Sequence, residues 1–327
     1  STESEWKNTT KNPNGTFSIT PSWITEENDA GKTVYSLDNN CGVFAGATYD
    51  WQILNGEAVV ASGTFETSAG DPIENGDMSQ WCETKEMLPL FGSKKITVWY
   101  PGSSWSDSTP GFWDSSNNAG NKTACTQDKT KNASCAWLQA SGVSLVGALA
   151  SGSLFTGTFT YANMNGTASF GQKYKYTARP TALRLKYHAT LGTVNYNKHN
   201  GPLEKDKDIM DQCSFTVCIV DWDTRHDVQS GTSAPKGIWD PITMGELPVD
   251  KQNGIIGYGV KYSSENTPGT DLIPLEIPIK YYQQTNAAPD GENKFTIIIS
   301  VSTSRYGDYL NGCDKNKIYV DDFEWVY

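Results

Sequence analysis

Histidine is scarce in this chain of 327 residues: His188, His199 and His226 are the only three, and no CxxC pair accompanies them, so a structural zinc site lacks its ligands. The catalytic signatures GxSxG and HExxH and the phosphate-binding glycine loop are also missing, which removes the usual support for hydrolase, protease and nucleotide readings. No apolar run approaches the roughly 18 residues needed to cross a bilayer. Positive charge is short too. Lys and Arg total 26 against 37 Asp and Glu, a net charge of −11, so a phosphate-rich partner is repelled over most of the surface. Nucleic acid and anionic membrane are therefore not expected partners. The chain begins STESEW, with neither an initiator Met nor an apolar signal region, and reads as a processed or trimmed protein whose address label lies elsewhere. Cysteines number seven, an odd count that leaves at least one unpaired within the chain. Cys213 and Cys218 would point to opposite faces of one strand; Cys125 and Cys135 bracket a polar loop and either close a hairpin disulfide or stay reduced in the core.

What the chain has in quantity is aromatic side chains, 12% of residues with 11 Trp and 16 Tyr, set in short alternating or apolar stretches. KKITVWY, GSLFTGTFTY, TALRLKYHAT, SFTVCIVDW, GIIGYGVKY, LIPLEIPIKYY, KFTIIISVS and KIYVDDFEWVY are separated by Gly, Asn, Pro, Ser and Asp. Many short strands with turn signals between them indicate an all-β sandwich or jelly roll. The best helical candidates, CETKEMLPLF and VSLVGALA, are too short to stand alone. Pro274 and Pro278 delete ladder donors, which sends LIPLEIPIK to a sheet edge. A Gly, Asp and Pro cluster in TSAGDPIENGD suggests a boundary: residues 1–72 as a small immunoglobulin-like β-domain and 73–327 as a larger jelly-roll domain.

The last strand poses a problem. Simple alternation puts Tyr319, Asp321, Phe323, Trp325 and Tyr327 on one face, so at least one of the adjacent Asp321 and Asp322 sits among apolar neighbours, where an ionised carboxylate needs a partner. ENGDMSQW (74–81) resembles the opening of jelly-roll carbohydrate-binding modules. GSLFTGTF (152–159) with ARPTALRLKY (178–187), and STSRYGDYLNG (302–312) with KIYVDDFEW (317–325), resemble the family called the putative carbohydrate metabolism domain. The resemblance runs through residues 74–327 and implies a jelly roll in a surface lipoprotein of gut-type Gram-negative bacteria, concerned with glycans by likeness of fold. It also implies a structural calcium ion tying the first strand to the last, with Asp77 and Asp321 as ligands. The chain departs from the pattern at Met78-Ser79, where many such modules have Phe-Glu. The other reading gives Asp321 a protein partner.

Sugar binders stack pyranose faces on aromatic rings and read hydroxyls with Asp, Asn, Arg and Gln. PGSSWSDSTPGFWDSSNNAGN concentrates such residues, and its WDSSN core resembles a family signature; Trp113, Asp114 and Asn117 are candidate sugar contacts, with Trp113 as a plug at the base of the sandwich the alternative. RYGDY offers Tyr306 and Asp308, as sugar contacts or as a turn in which Asp308 caps backbone amides. Arg179, just before Pro180, faces either a ligand or a carboxylate inside the sandwich. DKDIMD and DWDTRHD read as solvated acidic loops, Asp221 excepted. The ExDxxE strand signature of laminarinase-like jelly rolls is absent, and no acid/base pair at the spacing of glycosidic hydrolysis stands out. The expected function is non-catalytic glycan binding at a cell surface, with carbohydrate and other surface glycan-utilisation proteins as partners and an outer-membrane lipid anchor outside this sequence. The alternatives are a glycoside hydrolase or lyase with an unrecognised site, and a structural or adhesive surface subunit.

Overall fold

A computed structural model describes residues 6–19, 22–38, 43–87, 96–106, 111–118, 124–162, 165–199, 201–205, 208–231, 235–284 and 291–327. The protein is an all-β sandwich with almost no helix. A ten-stranded sheet runs in the order Trp23–Glu27, Thr33–Leu37, Lys280–Tyr281, Ile255–Ser263, Cys213–Trp222, Phe295–Ser302, Ser153–Ala162, Asn165–Phe170 and His226–Ser230, with Trp113–Ser115 paired to the side of Ser153–Ala162. A five-stranded sheet, Ile273–Pro278, Ala182–Thr190, Lys317–Val326, Cys135–Gln139 and Cys125–Asp128, packs against it. Pairing is antiparallel throughout these sheets.

Alternation builds the layers. In Phe295–Ser302 the residues Ile297, Ile299 and Val301 point into the sandwich, where they meet Phe215, Val217 and Ile219 from the neighbouring strand and Leu183, Leu185, Leu138, Ile318 and Val320 from the opposite sheet. β-branched side chains suit this pleated, buried surface. Each such side chain removed from water stabilises by roughly 1.5–3 kcal/mol, and truncating the fully buried Ile299 to Ala would cost about 2–5 kcal/mol. The outward face of the five-stranded sheet is solvated: Arg184 pairs with Glu276 at 2.9 Å and Glu324 at 3.2 Å, and Lys186 with Asp322 at 2.8 Å. Ile273–Pro278 lies at an edge of that sheet, where its two prolines leave no ladder bond unmade.

Several local expectations change. In the last strand Ile318, Val320 and also Phe323 face the core, because a bulge at Asp321-Asp322 shifts the phase of alternation. Asp322 adopts φ 51°, the left-handed region. VSLVGALA is a tight turn between the short strands Ser141–Val143 and Ala148–Ala150, not a helix. The start of CETKEMLPLF is strand, Trp81–Met87, and its end lies outside the described residues. The division expected after residue 72 does not separate two cores cleanly: the hairpin Trp23–Glu27/Thr33–Leu37 joins the large sheet through Tyr35 opposite Tyr281. Two five-residue strands cannot bury a core of their own, and Val34 is instead buried with Cys218, Val220 and Trp222 of the larger body. Thr48–Asn55/Ala58–Glu66 is a separate two-stranded hairpin. Cys125 and Cys135 are buried free thiols three pairs out of register, not a disulfide.

Candidate functional site: a cavity on the outer face of the large sheet

The strands that send Ile and Val inward send small hydroxyls outward. Ser214 and Thr216 lie opposite Ser302 and Ser300 across one strand pair, and Ser302 lies opposite Ser153 across the next. Together with Phe155 these form the floor of a cavity of about 500 Å³. No side-chain hydrogen bond to another described residue engages the hydroxyls of Ser153, Ser214, Thr216 or Ser300.

Aromatic rings and carboxylates make the walls. Trp239, Asp240 and Glu246 come from the loop after the strand His226–Ser230, Tyr262 from the end of Ile255–Ser263, and Arg305, Tyr306, Asp308 and Tyr309 from the loop before the last strand. The first loop is pinned by Asp240, whose Oδ1 accepts from the backbone N–H of Ile242 (2.9 Å) and Thr243 (2.7 Å) and from the Thr243 hydroxyl (3.1 Å). Behind it, Trp239 meets Trp222 edge-on at 5.7 Å and His226 at 6.0 Å. Burial lowers the His226 pKa, so the neutral ring donates Nε2–H to the Gly237 carbonyl at 2.7 Å. Rotation of the Trp239 indole is thereby restricted by packing on two sides.

The second loop rests on Asp211, buried at 1% exposure. Its Oδ2 accepts from Ser304 Oγ (2.6 Å), the Cys313 N–H (2.7 Å) and Asn316 Nδ2 (2.8 Å), and its Oδ1 from the Gln212 N–H (2.8 Å). Asp211 ends DKDIMD, read above as a solvated loop; four hydrogen bonds are what let this carboxylate leave water. Above it the Arg305 guanidinium lies 3.7 Å from the Tyr262 ring centre, with Nη1 donating to Gln212 Oε1 at 3.1 Å. Gly307–Tyr309 forms one 3₁₀ turn. Asp308 at its centre caps no backbone amide and has no hydrogen-bond or ion-pair partner among the described residues. Its carboxylate reaches the water of the cavity, yet the protein massed around it raises the pKa by desolvation, to about 6.

Of the residues singled out from sequence, Tyr306 and Asp308 line this cavity. Trp113, Asp114 and Asn117 do not present themselves to any ligand, and the sugar-contact expectation for them is corrected. Trp113 is fully buried, on a strand and not in a loop, with Nε1 donating to the Glu74 carbonyl at 2.7 Å and its ring against Phe112 and Phe323. Asp114 accepts from the N–H groups of Ser115 and Phe159, each at 2.7 Å. Asn117 bridges the Trp99 carbonyl (2.9 Å) and the Cys125 N–H (2.7 Å). The polar WDSSN run looked exposed because its side chains satisfy backbone groups from inside. Arg179 lies away from the cavity, its guanidinium 5.2 Å from the Trp23 ring centre and 5.8 Å from that of Tyr281. The cavity residues missed, Trp239, Glu246, Tyr262 and the serine floor, come from segments far apart in the chain. The serine and threonine alternation in SFTVC and TIIISVS was the available signal.

At the other proposed site, Asp321 is 1% exposed. It accepts from Asn132 Nδ2 at 2.6 Å and from the Asp322 N–H at 2.8 Å, so its hydrogen-bond partners among the described residues are both amides. Burial, with Asp322 and Asp77 adding like charge, lifts it to about 6. The Asn75–Met78 turn lies on the last strand: Phe323 N–H donates to the Gly76 carbonyl at 2.8 Å, and a Cβ at Gly76 would meet the Phe323 carbonyl oxygen at 2.3 Å. Asp77 Oδ1 accepts from Ser79 Oγ at 2.9 Å. Among the described residues no three His, Cys, Asp or Glu converge. The donors fit a hard cation in kind, since two carboxylates raise one another's charging cost there. Backbone carbonyls or water would have to supply most of the six to eight oxygens that calcium takes.

Residues 65–326 match the family described as "Putative carbohydrate metabolism domain", and the chain belongs to that family. Among solved structures, a protein from Bacteroides thetaiotaomicron described as a putative glycoside hydrolase is 14% identical over 90% of this chain and 86% of its own, with a TM-score of 0.47. A second, from Bacteroides vulgatus and described in the same words, is 15% identical over 76% of this chain and 96% of its own, with a TM-score of 0.50. The second likeness speaks to the fold. No curated protein matches the chain.

Proposed function

We propose that the protein binds glycan, without turning it over, in the cavity on the outer face of the ten-stranded sheet. The observation that carries this reading is the lining itself: Trp239, Tyr262, Tyr306 and Tyr309 around a floor that includes the hydroxyls of Ser153, Ser214, Thr216 and Ser300, with no partner for those hydroxyls or for Asp308 among the described residues. Aromatic faces suit the C–H faces of a pyranose, and free hydroxyls and carboxylates suit its rim. Membership of a carbohydrate family agrees with it. Calorimetry of the purified chain against a panel of oligosaccharides tests it. Trp239→Ala should lose roughly 1–3 kcal/mol of binding by removing a stacking platform; a chain that binds no glycan in the panel, or a Trp239→Ala variant that binds as well as the parent, refutes it.

A second reading, glycosidic hydrolysis, draws support from Asp308 and Glu246 lining one cavity, the first with a raised pKa suited to a proton donor. Product analysis of the same mixtures separates the two: new reducing ends, lost in both Asp308→Asn and Glu246→Gln, would replace binding with turnover. The setting we take is the outer surface of a Gram-negative cell, through a lipid anchor, which rests on family resemblance alone and is tested by protease shaving of intact cells. Calcium at Asp77 and Asp321 is part of the proposal; it would neutralise a buried carboxylate and fasten the Asn75–Met78 turn to the last strand.

A further inference from the structure

We propose that the cavity accepts uncharged sugar units and rejects glycans bearing carboxylate or sulfate groups. The inference rests on the glycan-binding reading and names the class of ligand within it. Among the described residues three carboxylates, Asp240, Glu246 and Asp308, line the space against one cation, Arg305. The four groups are not equally available. Asp240 is occupied by the turn it caps, through three donors on one oxygen. Glu246 Oε2 accepts from the Gly237 N–H at 3.2 Å, leaving its other oxygen toward solvent. Asp308 is wholly unengaged by the described chain. Arg305 is tied to Gln212 at 3.1 Å and spread over Tyr262 at 3.7 Å, with Tyr306 at 5.2 Å on its other flank. The cation is thus partly spent on the wall, while at least two of the anions face the ligand.

A carboxylate that lacks a donor gains most from a ligand rich in hydroxyls, since two vicinal O–H groups can bond its two oxygens at once. The floor adds only neutral groups, the hydroxyls of Ser214, Thr216 and Ser300, which donate or accept as a sugar requires. A uronate or sulfate in the same place would set like charge beside Asp308 in a concave, partly desolvated space, where such juxtaposition is strongly unfavourable and where rejection is as much a part of specificity as attraction. The net charge of −11 on the whole chain opposes approach of an anionic polysaccharide from a distance as well.

The test is calorimetry of the full chain against three sets of hexasaccharides matched in length: neutral (cello-, xylo- and manno-oligomers), anionic (oligogalacturonate and a heparin fragment) and cationic (chitosan). The parent should bind one or more of the neutral set at least tenfold more tightly than any anionic one. Asp308→Asn, which keeps the shape and removes the charge, should weaken the best neutral ligand by about tenfold and narrow the gap to the matching anionic ligand by at least as much. Glu57→Gln, the same change of charge on the distant hairpin, should leave both values unchanged, and melting curves establish that the variants are folded. Equal or tighter binding of an anionic set overturns the selectivity and leaves the glycan reading standing. Exclusive binding of chitosan overturns the neutral class and also leaves that reading. An unchanged ratio in Asp308→Asn overturns the role given to that residue, and silence in every set overturns both the selectivity and the glycan reading.

Discussion

Trp113→Ala separates a core role from a ligand role by free energy alone. The indole is 0% exposed, packs on Phe112 at 5.6 Å and Phe323 at 5.1 Å between ring centres, and donates to the Glu74 carbonyl at 2.7 Å. Emptying so large a site in a close-packed interior costs about 3–5 kcal/mol, and the lost hydrogen bond adds about 1 kcal/mol. Against a total stability of about 5–15 kcal/mol that is a large fraction. At roughly 2 °C per kcal/mol for a chain of this size, melting should fall by about 8–12 °C. Trp113→Phe retains most of the ring volume and loses the donor, so it should cost only about 1–2 kcal/mol. Urea titration gives both values, with the midpoint shifting and the slope unchanged if the native and denatured states keep their compactness. Glycan affinity of the folded fraction should not move, because no atom of this residue reaches the cavity. A Trp113→Ala protein that melts within 1 °C of the parent, or that stays stable while losing affinity, would refute the burial argument.

Asp321, raised from 3.8 to about 6 in the folded state, favours folding most below pH 3.8 and loses that contribution as pH rises through about 6. The shift of roughly two units corresponds to about 3 kcal/mol. Asp321→Asn should therefore flatten the pH dependence of melting between pH 4 and 7, and calcium should raise the melting temperature of the parent at pH 7.5 but not that of the variant. His226 has the opposite sign: its folded pKa is lowered by burial, so the stability it contributes above its unfolded value near 6.5 is lost as pH falls through the folded one, and thermal scans of His226→Gln beside the parent from pH 7 down to 5 should show a shallower decline in the variant. Arg179→Met should cost about 0.5–2 kcal/mol of stability through loss of the Trp23 and Tyr281 contacts, with glycan affinity unchanged. Cys125, Cys135, Cys213, Cys218 and Cys313 are buried free thiols, so a thiol reagent should leave them unmodified in the native chain and modify them in denaturant.

The sequence made the strands visible because each carries its burial in its own alternation: Ile297, Ile299 and Val301 announce an inward face without help from any other part of the chain. Edge placement of Ile273–Pro278 was legible for the same reason, a property of proline acting locally. What could not be read locally was phase and partnership. A single bulge at Asp322 turns Phe323 inward, and no composition rule predicts which residue of a DD pair will take positive φ. The hairpin Trp23–Glu27/Thr33–Leu37 looked like part of another domain because its partner, Tyr281, lies about 250 residues away. The cavity was half legible. RYGDY was singled out as a loop suited to sugar, whereas Trp239 and Tyr262 join it only through the order of strands in the sheet. Trp113 shows the converse error, in which neighbouring Ser and Asn residues were read as solvent exposure although they serve as internal hydrogen-bond partners.

The two faces of Phe295–Ser302 place different physical demands on consecutive residues. Ile297, Ile299 and Val301 answer to the opposite sheet, while Ser300 faces the cavity and Ser302, beside it, holds Ser151 and the Ser304 carbonyl. A change at one set moves no atom of the other except through the shared backbone. Ligand preference in this fold can therefore drift residue by residue, by exchanging small side chains at 153, 214, 216 and 300, while the sandwich beneath keeps the same packing. Relatives with the same architecture and different glycans would be expected to vary at every second position of these strands, and a library randomised at those four sites would search specificities among proteins that still fold.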